Sequence, residues 1–413
     1  MENNQESMEQ LFTLGALYPS DFLECNQQPR SQPVELKMIM DTTTGLVRLQ
    51  NTTPSTVLYG QYWYRSGINP AMKRELNDIV TSILNKCQLK KDDIWLDIAC
   101  NDGTLLSYVP EHLFKIGIDP ADDSFLKESR KHSNVIIQDF FSKHALLTHN
   151  ITEKARIITC IAMFYDLEDP HAFLQDIYSV LSHDGMFVCQ LSYTPLMLEQ
   201  VAFDNICHEH IYYYTLHTLQ QLFEKNNLTI IDAELNTVNG GSIRVYAVKS
   251  NSNFCANASQ MQLDVGLFRV KSLLEYEHAK QYNTPQTWQK FYQELQLLKY
   301  TTYNFINKQR SQGKTIWAYG ASTKGNTLLQ YFGLDSSLIS GIAERSPYKY
   351  GLKTVGTNIP IYSEQQMRDQ KPDYLLILPW HFVDVFVQRE ASYLENGGQF
   401  IVPCPKFTII GKE

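Results

Sequence analysis

From residue 94 onward, apolar runs of strand length recur with helix-length stretches between several of them, and this alternation limits the fold more than any other feature. The runs IWLDIA (94–99), FKIGID (114–119), NVIIQDF (134–140), RIITCIAMF (156–164) and GMFVCQLS (185–192) each suit one strand. Alternating β and α units of this size imply an α/β fold built on a doubly wound parallel sheet. LHTLQQLFEKNN then reads as an amphipathic helix, and LTIIDAELN and SIRVYAVK as a strand pair around the turn signal Asn239-Gly240-Gly241. Residues 256–312 are rich in Leu, Gln, Lys and Tyr and predict long helices. A second, smaller β/α series follows in KTIWAYGAS, ISGIAERS, DYLLILPW and QFIVPCP. At 413 residues the chain is too long for one core. The expected domains are a small N-terminal α+β piece (1–70), a first α/β domain (71–250), a helical connector (251–312) and a C-terminal Rossmann-like domain (313–413).

Composition excludes several functions. A net charge of -8 argues against a nucleic-acid-binding surface. No apolar stretch is long enough to span a membrane, and the polar, acidic start MENNQESMEQ does not fit a secretory signal. Eight scattered cysteines without a CxxC pair read as reduced thiols, so a cytoplasmic location is expected.

The first strand turns into the first helix through Leu96-Asp97-Ile98-Ala99-Cys100-Asn101-Asp102-Gly103. A dinucleotide fingerprint needs three glycines for close approach of a pyrophosphate, and only Gly103 is present. An acid at the strand end suits a cationic ligand better, such as the sulfonium and ammonium of S-adenosylmethionine. The next strand ends in Asp119-Pro120, where a carboxylate suits ribose hydroxyls. The third ends in Asp139-Phe140, suited to an adenine edge and face. This ordered set resembles the class I methyltransferase pattern.

The run Asn205-Ile206-Cys207-His208-Glu209-His210, followed by Tyr212-Tyr213-Tyr214, concentrates acid/base side chains. Zinc helices space their histidines one turn apart, whereas these are two apart. Partly buried, satisfied histidines are one reading and general base chemistry is another. An imidazole with a pKa of about 6.5 is available as a base at neutral pH, and a nearby carboxylate raises its basicity.

FDNICHEHIYYYTL, with YWYRSGIN upstream, NDGTLL between and YGASTKGNTLL downstream, resembles the sugar C-methyltransferase family over nearly the whole chain. The resemblance implies S-adenosylmethionine as cofactor and a nucleotide-linked keto-deoxysugar as substrate. It makes His210 the base, Glu209 its active-site carboxylate, His208 a further member of the run, and Tyr64 the contributed tyrosine with Tyr62 in reserve. The implied cofactor set is Asp97, Ala99, Asn101, Asp102, Gly103, Asp119, Pro120, Asp139, Phe140 and Met163. Cys207, Tyr213 and Asn239 join the expected substrate contacts. The chain also departs from the family. The second cysteine pair of the family's N-terminal zinc piece falls on Asp41 and Thr44, and only Cys25 remains there, so zinc is expected to be absent and packing to hold this piece together. Cys207 stands where many relatives carry tyrosine, and Asp166 where many carry histidine.

Ala318-Tyr319-Gly320-Ala321-Ser322-Thr323-Lys324-Gly325-Asn326 again follows a strand and opens a helix. Backbone N–H groups and an ammonium there suit a diphosphate. Tyr319, Gly320, Ser322, Lys324 and Asn326, with Glu344 after the next strand, are therefore expected at the substrate's nucleotide, which the resemblance puts between the two Rossmann-like domains. The reading is a C-methyltransferase acting next to a keto group through an enolate. A nicotinamide-dependent oxidoreductase or epimerase, and a binding scaffold with an altered site, are the alternatives.

Overall fold

The computed structural model describes residues 7–58, 65–252, 254 and 259–411. The chain forms two compact units that do not follow its linear order. One comprises residues 61–193 and 212–282; the other comprises 1–60, 194–211 and 283–413. The structure thus divides the chain differently from the expected succession of four segments. The N-terminal piece belongs with the C-terminal sheet, and the expected connector is shared between the units, Gln260–Lys280 in one and Pro285–Ser311 in the other.

The unit of residues 61–193 and 212–282 holds a seven-stranded sheet. Its strands are β1 (Ile94–Ile98), β2 (Phe114–Ile118), β3 (Val135–Ile137), β4 (Ala155–Ile161), β5 (Leu181–Ser192), β6 (Leu228–Asn236) and β7 (Ser242–Lys249). They lie in the order β6-β7-β5-β4-β1-β2-β3. Strands β1 to β5 pair in parallel, and β7 is antiparallel to both its neighbours. Parallel strands covered on both faces must be apolar on both faces, which is why their sequences are continuous apolar runs. Trp95, Leu96 and Ile98 are all buried. The helix Pro70–Lys86 covers one face. Asn69 caps its start by accepting the Ala71 N–H, and Met72, Leu76, Ile79, Val80 and Ile83 fall at helical spacing toward Trp95 and Leu106. The chain runs β1-β2-β3 outward, then crosses to β4 on the other side of β1. Ligand crevices form at such a reversal, at the carboxyl ends of the strands.

The second unit has a parallel sheet of its own. Strands β8 (Ile316–Tyr319), β9 (Ile342–Glu344), β10 (Ile361–Ser363), β11 (Tyr374–Ile377), β12 (Gln399–Val402) and β13 (Thr408–Ile410) lie in the order β10-β9-β8-β11-β12-β13, with only β13 antiparallel. Its order reverses between β8 and β11. The N-terminal strands Met8–Leu17, Val34–Asp41 and Val47–Leu49 form an antiparallel ladder. Its apolar face meets the helix Pro285–Ser311: Phe12 stacks on Tyr292 with centroids 4.7 Å apart and also touches Trp288 and Phe291. Hydrogen bonds complete the attachment. Gln330 accepts the Tyr18 N–H and donates to its carbonyl, and the Asn326 amide donates to Ser20 Oγ and the Asp21 carbonyl. No helix among the described residues is long and apolar enough to cross a membrane.

Candidate active site

The reversal between β1 and β4 carries the expected cofactor residues. The loop after β1 takes left-handed backbone at Ala99, Asn101 and Gly103 (φ +57°, +51° and +74°). Glycine is required at 103, because a Cβ there would stand 2.6 Å from the Ser129 Cα. Asp97 is buried, and its Oδ1 accepts the Thr159 hydroxyl at 2.6 Å. Asp119 is buried as well; its two oxygens accept the Asn101 and Ala121 N–H groups, each at 2.8 Å. Burial pushes the Asp97 carboxyl up to about 7, and the neighbouring Asp119 adds to the rise. Burial also pushes Asp119 up. Two buried acids that form no ion pair among the described residues make a site that favours a positively charged ligand. The residues therefore fit S-adenosylmethionine: Asp97 would face its cationic end, and Asp119 would have further lone pairs for ribose hydroxyls.

Other members of the expected set are placed differently. Asn101 Oδ1 accepts the Ser66 N–H at 3.1 Å, and Asp102 Oδ2 accepts the Gly67 N–H at 2.8 Å. These two side chains also anchor the segment 66–67. Asp139 accepts its neighbour's N–H at 2.7 Å, and Phe140 is exposed. Pro120 is exposed, while Met163 is half-buried after β4. Asp166 ends the short turn Phe164–Asp166 that follows. Tyr213 is buried. Tyr62 and Tyr64 lie outside the described residues, as does the side chain of Asn239; the turn containing Asn239 joins β6 to β7 as expected.

In the second unit the run 203–210 packs on the start of the C-terminal sheet. Phe203 stacks on Phe332 at 5.0 Å, the Trp380 indole donates to Asp204 at 3.2 Å, and the Lys324 ammonium donates to Asn205 Oδ1 at 2.5 Å. His210 Nδ1 lies 2.8 Å from the Asn205 carbonyl oxygen. A carbonyl only accepts, so Nδ1 carries the hydrogen and Nε2 the lone pair, the tautomer a base needs. Burial and the Lys324 charge hold this imidazole down to about 3. Burial pushes Glu209 up to about 7, opposed by a hydrogen bond from Cys207 and by Lys324. Glu209 and His210 nonetheless retain some solvent contact. His208 differs: it is buried and hydrogen-bonds the Val34 carbonyl at 3.0 Å. That contact ties it to the N-terminal ladder.

Around the second loop, Gly320 (φ +85°) lies against the Pro379 ring, and Ser322 caps the helix Thr323–Phe332 by accepting the Gly325 N–H. Glu344 accepts the N–H groups of Ala321, Arg345 and Ser346, as Asp119 does in the other sheet. Two of the expected substrate contacts also bond within the protein. The Tyr319 hydroxyl bonds with Glu364, at the start of the helix Glu364–Gln370, and with Glu390, and Asn326 holds the N-terminal piece. Sequence reading missed Thr159 and also His381, whose ring burial and the Lys324 charge hold down to about 3. The signal for His381 was its place at the end of LILPWH, just past a strand beside the reversal.

A zinc site at the N-terminal piece does not fit its residues. Asp41 accepts the Thr43 N–H and Thr44 the Leu46 N–H in the turn after Asp41, and the thiol of Cys25 is exposed. No metal-binding cluster occurs among the described residues.

Residues 68–233 match the family described as methyltransferase domain, and residues 237–405 the family described as C-methyltransferase C-terminal domain. The C-methyltransferase NovU of Streptomyces niveus is 27% identical over 384 residues, covering 92% of this chain and 88% of that protein. A ubiquinone biosynthesis O-methyltransferase of Glaesserella parasuis serovar 5 (strain SH0165) is 28% identical over 130 residues, covering 29% of this chain and 50% of that one. A solved S-adenosylmethionine-dependent methyltransferase from Clostridium acetobutylicum ATCC 824 covers 47% of this chain and 95% of its own, at 14% identity and a TM-score of 0.33. The two family matches follow one another along the chain, the first over the acid-lined parallel sheet, and they place this protein among the S-adenosylmethionine-dependent C-methyltransferases.

Proposed function

We propose that the protein methylates a carbon next to a keto group of a nucleotide-linked deoxysugar, through an enolate, with His210 as the general base. The observation that carries this reading is the tautomer of His210, a neutral imidazole with Nδ1–H tied to a carbonyl and Nε2 as the basic atom. When bound, S-adenosylmethionine supplies an electrophilic methyl group. A carbon next to a ketone becomes nucleophilic only when it loses a proton. The C–H bond breaks, Nε2 of His210 gains the hydrogen, and the electron pair moves through carbon to the keto oxygen. A positioned base contributes about 10²–10⁴-fold to such a step. Glu209, poised near neutrality by burial, is suited to stabilise the imidazolium as it forms. The sugar-nucleotide substrate is supported by the motifs shared with sugar C-methyltransferases and by the glycine loop at β8, with Glu344 beside it.

A panel of nucleotide keto-sugars, incubated with S-adenosylmethionine and read by mass, should show the gain of one methyl group. In deuterium oxide without cofactor, the wild-type protein should exchange the hydrogen next to the ketone. His210→Asn should lose that exchange by about 10²-fold or more. Unimpaired exchange in this variant sinks His210 as the base.

A further inference from the structure

Lys324 opens the helix Thr323–Phe332 after a glycine loop, where a lysine ordinarily reads as a phosphate contact. Its surroundings suggest a different task. Lys324 is half-buried and its ammonium donates to the side-chain oxygen of Asn205 at 2.5 Å. The main-chain oxygen of the same Asn205 accepts the Nδ1–H of His210 at 2.8 Å, and its amide donates to the Ala202 carbonyl at 3.0 Å. One asparagine therefore joins ammonium to imidazole, its side chain holding the first and its main chain the second. The other titratable groups acting here are Asp204, Cys207 and Glu209 from the run and His381 from the segment after β11.

We propose that Lys324 is a positioning residue for the base: it fixes Asn205 and hence the ring of His210, and its charge disfavours an imidazolium unless an oxyanion forms beside it. This rests on the enolate reading above. Burial and the ammonium together keep His210 unprotonated in neutral water, so the ring is always ready to accept a proton. The proton it does accept leaves a negative charge on the keto oxygen. That oxyanion offsets two neighbouring cations, imidazolium and ammonium. Proton transfer to His210 is thereby coupled to enolate formation and is suppressed from solvent.

Two measurements test this. The first needs no substrate: NMR titration of protein carrying ¹³Cε1-labelled histidine, with His210→Asn identifying the signal. In wild type the His210 signal should not titrate above about pH 5; in Lys324→Met it should titrate higher by about one unit, and Lys324→Arg should keep it low. The second is exchange next to the ketone of the nucleotide keto-sugar. Lys324→Met should lower kcat by about 10²-fold with KM changed less than about threefold. Lys324→Arg should recover much of the loss. An unmoved titration, or a rise in KM at constant kcat, would identify a phosphate contact and overturn the proposal. A wild-type protein that exchanges none of the keto-sugars sinks the enolate reading, while the titration still decides whether Lys324 acts on His210. Should Lys324→Met fail to fold by circular dichroism, Asn205→Ala keeps the carbonyl and removes the anchor of the ammonium. It should lower exchange kcat at least about tenfold, and full kcat in it would equally overturn the proposal.

Discussion

Asp97 and Glu209 are carboxyls that burial pushes up to about 7, so each is half-protonated near neutral pH. For Asp97 the sign follows from linkage. The unfolded carboxyl titrates at about 3.9. The folded form holds its proton to higher pH, so the stability this group contributes is complete below about pH 4 and lost as pH rises through about 7. A cation bound beside it favours the ionised form. Affinity for S-adenosylmethionine should therefore rise between pH 6 and 8 by calorimetry, and Asp97→Asn should flatten that rise. An affinity that falls over this range in wild type would contradict the placement of the cationic end at Asp97. At this scale the sequence was partly legible. The strand-end acids at Asp97 and Asp119, and the concentration of titratable groups at 205–210, can be read from the chain. What could not be read was where each side chain points. Lys324 and Asn326 are two apart on one helix, so they face different ways, and only one of them can approach a ligand in front of it. Tyr319 looked like a loop contact, yet as the last residue of β8 it reaches Glu364 and Glu390.

At the scale of elements, the parallel strands were legible because burial on both faces leaves an apolar run as its mark. The loop after β1 was legible through Gly103 but not through its neighbours. Asn101 and Asp102 look like ligand groups in sequence, and they also hold the backbone of residues 66–67, a contact across 35 positions that no local pattern announces. Gly103 makes a direct prediction. Alanine there meets the Ser129 Cα and must adopt φ +74°, so Gly103→Ala should cost at least about 1–2 kcal/mol in urea unfolding. It should also weaken cofactor binding. Wild-type stability in this variant would mean the loop does not hold that conformation.

On the scale of the whole molecule, the linear order of segments misled because contacts are made in three dimensions. In sequence, residues 1–60 look like a separate piece that packing would have to hold without a metal. They are attached through Phe12 to the helix Pro285–Ser311 and through Tyr18 to Gln330. If packing and not zinc holds them, metal analysis should find no stoichiometric zinc and a chelator should leave Tm unchanged. Phe12→Ala should remove about 3–5 kcal/mol from its unit. Stoichiometric zinc, or a chelator-sensitive Tm, would overturn this account.

The chain leaves one unit and re-enters it twice, so the unit that holds His210 is made of three separated stretches. This sets an order of events during synthesis. Tyr18 waits for a partner 312 residues later, and Asn205 for one 119 residues later. At about 5–20 residues per second the first wait is roughly 15–60 s. Until the last stretch emerges, His210 lacks the Lys324 charge that lowers its pKa in the folded protein. A nascent chain therefore carries every residue of the His-Glu-His run long before it carries the lysine whose charge lowers the pKa of His210, and that control is among the last properties the protein acquires.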